Sequence, residues 1–169
     1  MERRLPIVFV EEEVYLPNLL DEKGELRESV VLLERKGKTI IFLDEGEKPP
    51  ENVKPEKILV KKIYDDAYSE IFDLVEGVVK KETLILMPDR RTFLRLLKGD
   101  KIVIVSLQKR KVELVVDIGN LVRKGERIGF TVSKKGVIRY VRAPETGTVA
   151  YVAENPNTRE IMLFIKPSE

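Results

Sequence analysis

The sequence contains no cysteine, no histidine and no tryptophan. The first absence removes disulfides, thiolate nucleophiles and thiolate metal sites. The second removes the commonest general base, the commonest metal ligand and every Ser-His or Cys-His nucleophile pair. Chemistry built from Lys, Asp, Glu, Tyr and Arg remains open, but most hydrolase templates leave with the imidazole. No apolar run approaches the roughly 20 residues that cross a bilayer as a helix. The opening Met1-Glu2-Arg3-Arg4-Leu5-Pro6 leads into Glu11-Glu12-Glu13, where a signal peptide would carry its apolar segment. A cytoplasmic location without membrane association is therefore expected.

Charge, by contrast, is abundant. Asp, Glu, Lys and Arg make up 36% of the 169 residues. Such richness suits a thermophile, because the hydration of ions becomes less favourable as temperature rises, and it also suits an ordinary soluble protein. The net charge is only +2, yet it is unevenly spread. From Pro88 onward 17 Lys and Arg stand against 9 Asp and Glu, whereas up to Met87 the figures are 14 and 20. Opposite signs fit either two halves that attract each other, which is favoured, or a basic half that meets an acidic partner.

The length accommodates one large domain or two small ones. Short β-branched runs predict strands at residues 5–10, 58–63 and 83–87. Residues 30–33 and 39–43 predict a hairpin around Glu34-Arg35-Lys36-Gly37-Lys38, with Gly37 supplying positive φ in the turn. Residues 44–55 read as a loop. Behind Asp65 and Asp66, the residues Ala67, Tyr68, Ile71, Phe72, Val75, Val78 and Val79 fall near helical spacing and predict a helix to Lys80. Pro88 suits the first position of a second helix over 89–98, ended by Gly99, with Phe93, Leu94, Leu96 and Leu97 as its core stripe.

Beyond Gly99 the pattern changes to short strands at 101–107, 111–116, 127–132, 137–142, 148–153 and 161–165. They are punctuated by Gly119, Gly125, Gly136, Gly147 and the turn Asn155-Pro156-Asn157. The expected fold is mainly β (α+β): a small α+β unit over residues 1–98, then a β-domain over residues 99–169.

Two phrases in that second part resemble elements of biotinyl and lipoyl domains. The first is Val116-Asp117-Ile118-Gly119-Asn120-Leu121-Val122-Arg123-Lys124-Gly125-Glu126-Arg127-Ile128. The second is Val141-Arg142-Ala143-Pro144-Glu145-Thr146-Gly147-Thr148-Val149. The resemblance implies a barrel-sandwich hybrid, a flattened barrel in which each phrase makes a glycine-dependent turn and an exposed hairpin lies between them. In carrier proteins the modified lysine sits at that hairpin tip, seven residues before the alanine of Ala-Pro. Here that count from Ala143 lands on Gly136, preceded by Lys134 and Lys135. A shift of one residue turns a strand side chain to the other face. The resemblance thus implies the fold without its attachment lysine, and no cofactor is expected.

The whole chain is also similar to an archaeal family of uncharacterised proteins with a lipoyl-like C-terminal domain. Pro88-Asp89-Arg90-Arg91-Thr92-Phe93-Leu94, Lys98-Gly99-Asp100-Lys101 and Lys134-Lys135-Gly136-Val137-Ile138-Arg139 carry that likeness. It implies an archaeal origin and brings no catalytic or binding residues with it.

Basic residues gather on the β-domain: Lys109-Arg110-Lys111, Arg123-Lys124, Arg127, Lys134-Lys135, Arg139 and Arg142, with Phe130 and Tyr140 as the nearby aromatics. Phosphate contact with aromatic stacking would make this a nucleic-acid surface. Turn lysines that keep strand edges soluble explain the same residues more simply, and that reading is favoured. No phosphate-loop motif is present. Glu11-Glu12-Glu13 and Asp65-Asp66 lack the spacing of a calcium loop. No catalytic residue and no metal ligand is assigned.

The sequence does not state a cellular task. The leading expectation is a non-enzymatic binding or assembly module that meets a protein partner through Lys134, Lys135, Gly136, Arg139 and Arg142. The alternatives are a biotin- or lipoate-type group carrier modified at Lys135, and a basic nucleic-acid-binding protein.

Overall fold

In chain order the strands are β1 (Ile7–Glu12), β2 (Val30–Glu34), β3 (Thr39–Leu43) and β4 (Lys57–Lys62), then the helix α1 (Tyr64–Ile71). After it come β5 (Phe72–Asp73), β6 (Val78–Val79), β7 (Thr83–Leu86), β8 (Phe93–Leu96), β9 (Val103–Gln108) and β10 (Val112–Leu114). The last five are β11 (Leu121–Val122), β12 (Arg127–Val132), β13 (Ile138–Arg142), β14 (Gly147–Asn155) and β15 (Glu160–Pro167). The computed structural model describes residues 5–108 and 112–168. The run Lys109-Arg110-Lys111 lies outside the described residues.

The protein is mainly β, as expected, and divides into two compact units. One takes the chain up to Ala67 together with Lys81–Leu97; the other takes Tyr68–Lys80 together with the chain from Lys98.

In the first unit six antiparallel strands form one sheet in the order β3-β2-β4-β1-β7-β8. Alternation along each strand sends one set of side chains to each face. Val30, Leu32, Ile58 and Val60 face one way and are covered by Val14, Leu16, Leu19, Leu20, Leu26 and Val53 from the two long connections. Phe9, Val31, Leu33, Leu59 and Leu84 face the other way and are buried against one another. No separate layer is needed on that side because the sheet curls. The edge strands β3 and β8 approach across the concave face, with the rings of Phe42 and Phe93 6.0 Å apart and Phe9 6.1 Å from Phe42.

The curl is fixed at one end by a buried carboxylate. Glu82, 3% exposed, accepts hydrogen bonds from Lys57 Nζ at 2.9 Å and from Arg95 Nε at 2.8 Å. Arg95 Nη2 stands 2.6 Å from the same carboxylate, and Arg95 Nη1 donates to the Gly37 carbonyl at 2.6 Å. Arg95 on edge strand β8 is thereby tied to the β2–β3 turn at the opposite edge. That turn has positive φ at Arg35, Lys36 and Gly37. A Cβ at Gly37 would strike the Arg95 guanidinium, so a glycine is required there on two counts.

Two expected helices are shorter or absent. Helix α1 stops at Ile71, and Asp65 and Asp66 lie in its first turn. Phe72 and Asp73 pair instead with Val79 and Val78, around a turn in which the Asp73 carboxylate accepts from the N–H groups of Val75 and Glu76 and Gly77 has φ +68°. The stretch expected to be a second helix is the β7–β8 hairpin. Asp89 Oδ1 accepts from the Arg91 and Thr92 N–H groups at 2.8 and 3.0 Å, which holds its carboxyl below the usual range, and Arg90 sits at φ +60°. An aspartate that captures the amides two and three residues ahead favours a turn over a helix start when an edge strand is available to β8.

The second unit contains two facing sheets, β10-β12-β13 and β11-β14-β15-β9. Ile128, Val141, Val149, Leu163 and Ile165 fill the space between them. The other face of the four-stranded sheet carries Tyr151 and Phe164. Phe72 stacks on Phe164 at 4.3 Å and meets Tyr151 edge-on at 5.7 Å. Backbone bonds from Val79 N–H to Asp100, Gly99 N–H to Val79 and Ile102 N–H to Gly77 stitch the same segment down. Residues 68–80, expected inside the N-terminal unit, therefore belong to the core of the second.

Glu82→Ala is expected to lower stability by roughly 2–3 kcal/mol, somewhat less than for a fully buried pair because Lys57 and Arg95 reach water. Lys57→Met should cost under about 1 kcal/mol. Urea unfolding of the two variants measures both. The hydrogen bond to Glu82 raises the Lys57 amine above its ordinary value. Its contribution is complete below the unfolded-state value and fades as pH rises through the folded one, above roughly pH 10. That alkaline loss should vanish in Lys57→Met.

Candidate functional site

The β12–β13 hairpin carries all five residues of the expected contact surface, Lys134, Lys135, Gly136, Arg139 and Arg142. Its register pairs Phe130 with Tyr140, Thr131 with Arg139 and Val132 with Ile138, and a bulge separates Arg127 from Gly129. Ser133 closes the tip: its hydroxyl accepts from the Val137 N–H at 3.1 Å, its N–H donates to the Val137 carbonyl, and its carbonyl accepts from Gly136. Gly136 supplies the φ of +80° that this turn requires. Lys134 and Lys135 occupy the two turn positions at the tip and are exposed.

Strand alternation divides the remaining charges. Arg139 lies on the face that leads down to Val141 and the core, beyond the packed region and exposed. Tyr140 and Arg142 point to the outer face. There the Arg127 guanidinium carbon stands 3.9 Å from the centroid of the Tyr140 ring, and Phe130 meets that ring edge-on at 6.4 Å. A guanidinium over a phenol ring is attracted by the negative π face, and the stack keeps Arg127 extended. Arg142 is committed elsewhere, since its Nη1 donates to the Gly125 carbonyl at 3.0 Å. Four of the five chosen residues thus form an exposed tip and edge, while Arg142 helps to hold the neighbouring turn.

Among the described residues β13 is the edge of its sheet and pairs with β12 alone. Val137, Ile138 and Tyr140 are 53%, 52% and 48% exposed. An edge strand that shows apolar side chains together with unpaired backbone groups can accept a further strand, and flanking cations restrict which strands are accepted. The Arg127–Tyr140 pair was not singled out from sequence. Its signal was present, because Phe130 and Tyr140 lie equally far either side of Lys135, but the bulge that swings Arg127 onto the ring has no sequence mark.

The two glycine phrases meet in space. Gly119 N–H donates to the Val149 carbonyl and Val149 N–H to the Asn120 carbonyl. Gly125 N–H donates to the Ala143 carbonyl and Ala143 N–H to the Glu126 carbonyl. Each phrase therefore satisfies the backbone of the other at two corners. Gly147 serves close approach instead: a Cβ there would run into the Lys166 carbonyl and the Ile165 side chain.

Two of the acidic residues noted in the sequence form ion pairs. Glu11 faces Lys57 at 3.8 Å, and Glu12 pairs with Lys62. Among the described residues no group of three or more carboxylates is placed to hold a metal ion, and no helix is long and apolar enough to cross a membrane.

Residues 3–168 match the model of a family described as uncharacterised proteins conserved in archaea, DUF2118. The chain belongs to this archaeal family. It is similar to uncharacterized protein MJ0859 of Methanocaldococcus jannaschii, with 35% identity over 160 residues that cover 91% of this chain and 93% of the relative. The expectation of an archaeal family is met, and neither description carries an activity.

Gly147→Ala should lower stability by about 2 kcal/mol through overpacking against the β15 backbone. Gly125→Ala faces open space and meets only the strain of its φ of +86°, about 1 kcal/mol. Thermal unfolding should rank them in that order.

Proposed function

We propose that residues 99–169 form a biotinyl/lipoyl-type barrel-sandwich hybrid that has no carrier lysine and serves as a recognition module for a protein partner. The interlocked glycine phrases and the hairpin between them support the fold reading. The observation that carries the functional reading is the composition of β13 and its tip. An open strand edge bears exposed Val137, Ile138 and Tyr140, ringed by Lys134, Lys135, Arg139 and the stacked Arg127. A partner that suits it is an extended segment with acidic and apolar side chains in alternation. Backbone pairing along β13 supplies affinity, and the cations select the charge pattern.

Tagged full-length protein and the triple variant Lys134→Glu/Lys135→Glu/Arg139→Glu, both expressed in the native host, test this reading by affinity capture. All three residues are exposed, so the variant should fold. A partner retained by the native sequence and lost by the variant is the expected outcome. Equal capture by both refutes the hairpin surface. Retention of RNA or DNA that falls steeply with salt would assign the basic residues to nucleic acid instead.

A second reading rests on the position of Lys135 itself, exposed at the tip of the hairpin: a group carrier whose attachment site is displaced by one residue. Intact mass of the host-purified protein decides. The unmodified 19.5 kDa chain is expected, and a biotinyl, lipoyl or other acyl addition on Lys135 would replace the recognition reading with the carrier one.

A further inference from the structure

The concave face of the six-stranded sheet is closed at one end only. Glu82, Lys57 and Arg95 plug the end near the β2–β3 turn, and Phe9, Leu59 and Leu84 fill the middle. At the other end, where β1 begins and β7 turns into β8, the interior opens as a cavity of about 440 Å³. Its wall carries Phe9, Phe42 and Phe93, the last two being 40% and 44% exposed. Phenyl rings left in contact with water inside a concavity, on a chain this rich in charge, mark a surface kept for a ligand.

The rim has a definite sign. Lys61, Arg90 and Arg91 surround the opening, against the single carboxylate of Asp44. Among the described residues no ion pair holds Lys61 or Arg90, while the charge of Arg91 also acts on the Asp89 carboxylate of its own turn. The two arginines are also pre-positioned. Pro88 fixes one φ of the β7–β8 turn, the Asp89 carboxylate ties down the amides of Arg91 and Thr92, and Arg90 is locked at φ +60°. Guanidinium groups displayed on a fixed turn lose less freedom on binding than those on a mobile loop. A second hollow of about 650 Å³ shares Lys61 and Arg90 and is of mixed charge, with Arg27 and Lys62 beside the carboxylates of Glu28 and Glu45.

We propose that this mouth binds a small aromatic anion, a planar apolar body bearing a carboxylate or phosphate. The ring system lies against the exposed sides of the Phe42–Phe93 pair, and the head group meets Lys61, Arg90 and Arg91. The site lies within the first unit and is independent of the β13 surface. Neither part of such a ligand suffices alone. Inorganic phosphate leaves the phenyl rings wet, and a neutral aromatic leaves the cations without a counter-charge.

Titration of the ¹⁵N-labelled full chain with 1-naphthyl phosphate and 2-naphthoate tests the site, with 2-naphthalenemethanol and inorganic phosphate as the half-ligands. Saturable shifts of the amides of residues 42–44 and 90–93 by one or both anions are expected, with each half-ligand at least about tenfold weaker. Agreement of both anions gives a general anion site; response to only one assigns the head group. Arg91→Gln and Lys61→Gln are exposed substitutions, and Arg90→Asn keeps a residue that tolerates positive φ. Together they should weaken the anions about tenfold and leave the neutral aromatic unchanged. Absence of saturable shifts at millimolar ligand, equal binding of the neutral analogue, or variants that bind the anions as well as the native chain would each overturn the proposal.

Discussion

Arg95 stands on the last strand of a six-stranded sheet and reaches the turn that joins the first two in spatial order. That single reach, anchored on the buried Glu82, turns an open sheet with one uncovered apolar face into a surface that covers itself. An open sheet of this sequence would leave Phe9, Val31, Leu33, Leu59 and Leu84 in water, because no helix in the first unit lies over them. A carboxylate is a costly group to bury, and it is tolerated here because two cations satisfy both of its oxygens. Towards the other end the Phe9, Phe42 and Phe93 rings bring the edges together, and there Phe42 and Phe93 still meet water.

The second unit solves its packing problem differently. Its four-stranded sheet has apolar residues on both faces, one shared with the β10-β12-β13 sheet and one covered by Phe72 and its neighbours. The glycine phrases close the corners by mutual backbone bonds, so the turns depend little on side chains. This leaves Lys134, Lys135 and Arg139 without a packing duty, and these three exposed positions are free to be basic.

Much of this was legible in the sequence where local chemistry alone decides. The β-branched runs at 30–33, 39–43 and 127–132 are strands almost to the residue, and the turns marked by Gly119, Gly125 and Gly136 fall where they were expected, while Gly147 begins β14. Reading failed where two periods coincide. Phe93, Leu94, Leu96 and Leu97 suit a helical stripe, yet in an edge strand Phe93 and Arg95 take the concave face and Leu94 and Leu96 the opposite one. Likewise Val75, Val78 and Val79 look helical by spacing, but Val75 is 92% exposed at the tip of a ribbon. The hairpin charges could be placed from sequence because strand alternation orders them. The cavity could not, since Phe42 and Phe93 lie far apart in the chain and only the curl brings them together.

The division of the chain carries a consequence for how it is made. The path leaves the first unit after Ala67, returns at Lys81 and leaves again after Leu97. When the ribosome has delivered four strands of the first sheet, the next segment out belongs to a body whose remaining strands do not yet exist. Until β7 and β8 follow, β1 is a bare border and the aromatic Phe72 has nothing to lie against. The first body is complete only when Leu97 is out, and Tyr68–Lys80 waits longer still for the strands it packs on. No single cut in the gene yields both bodies whole: a cut after Leu97 keeps the first but strips Tyr68–Lys80 from the second.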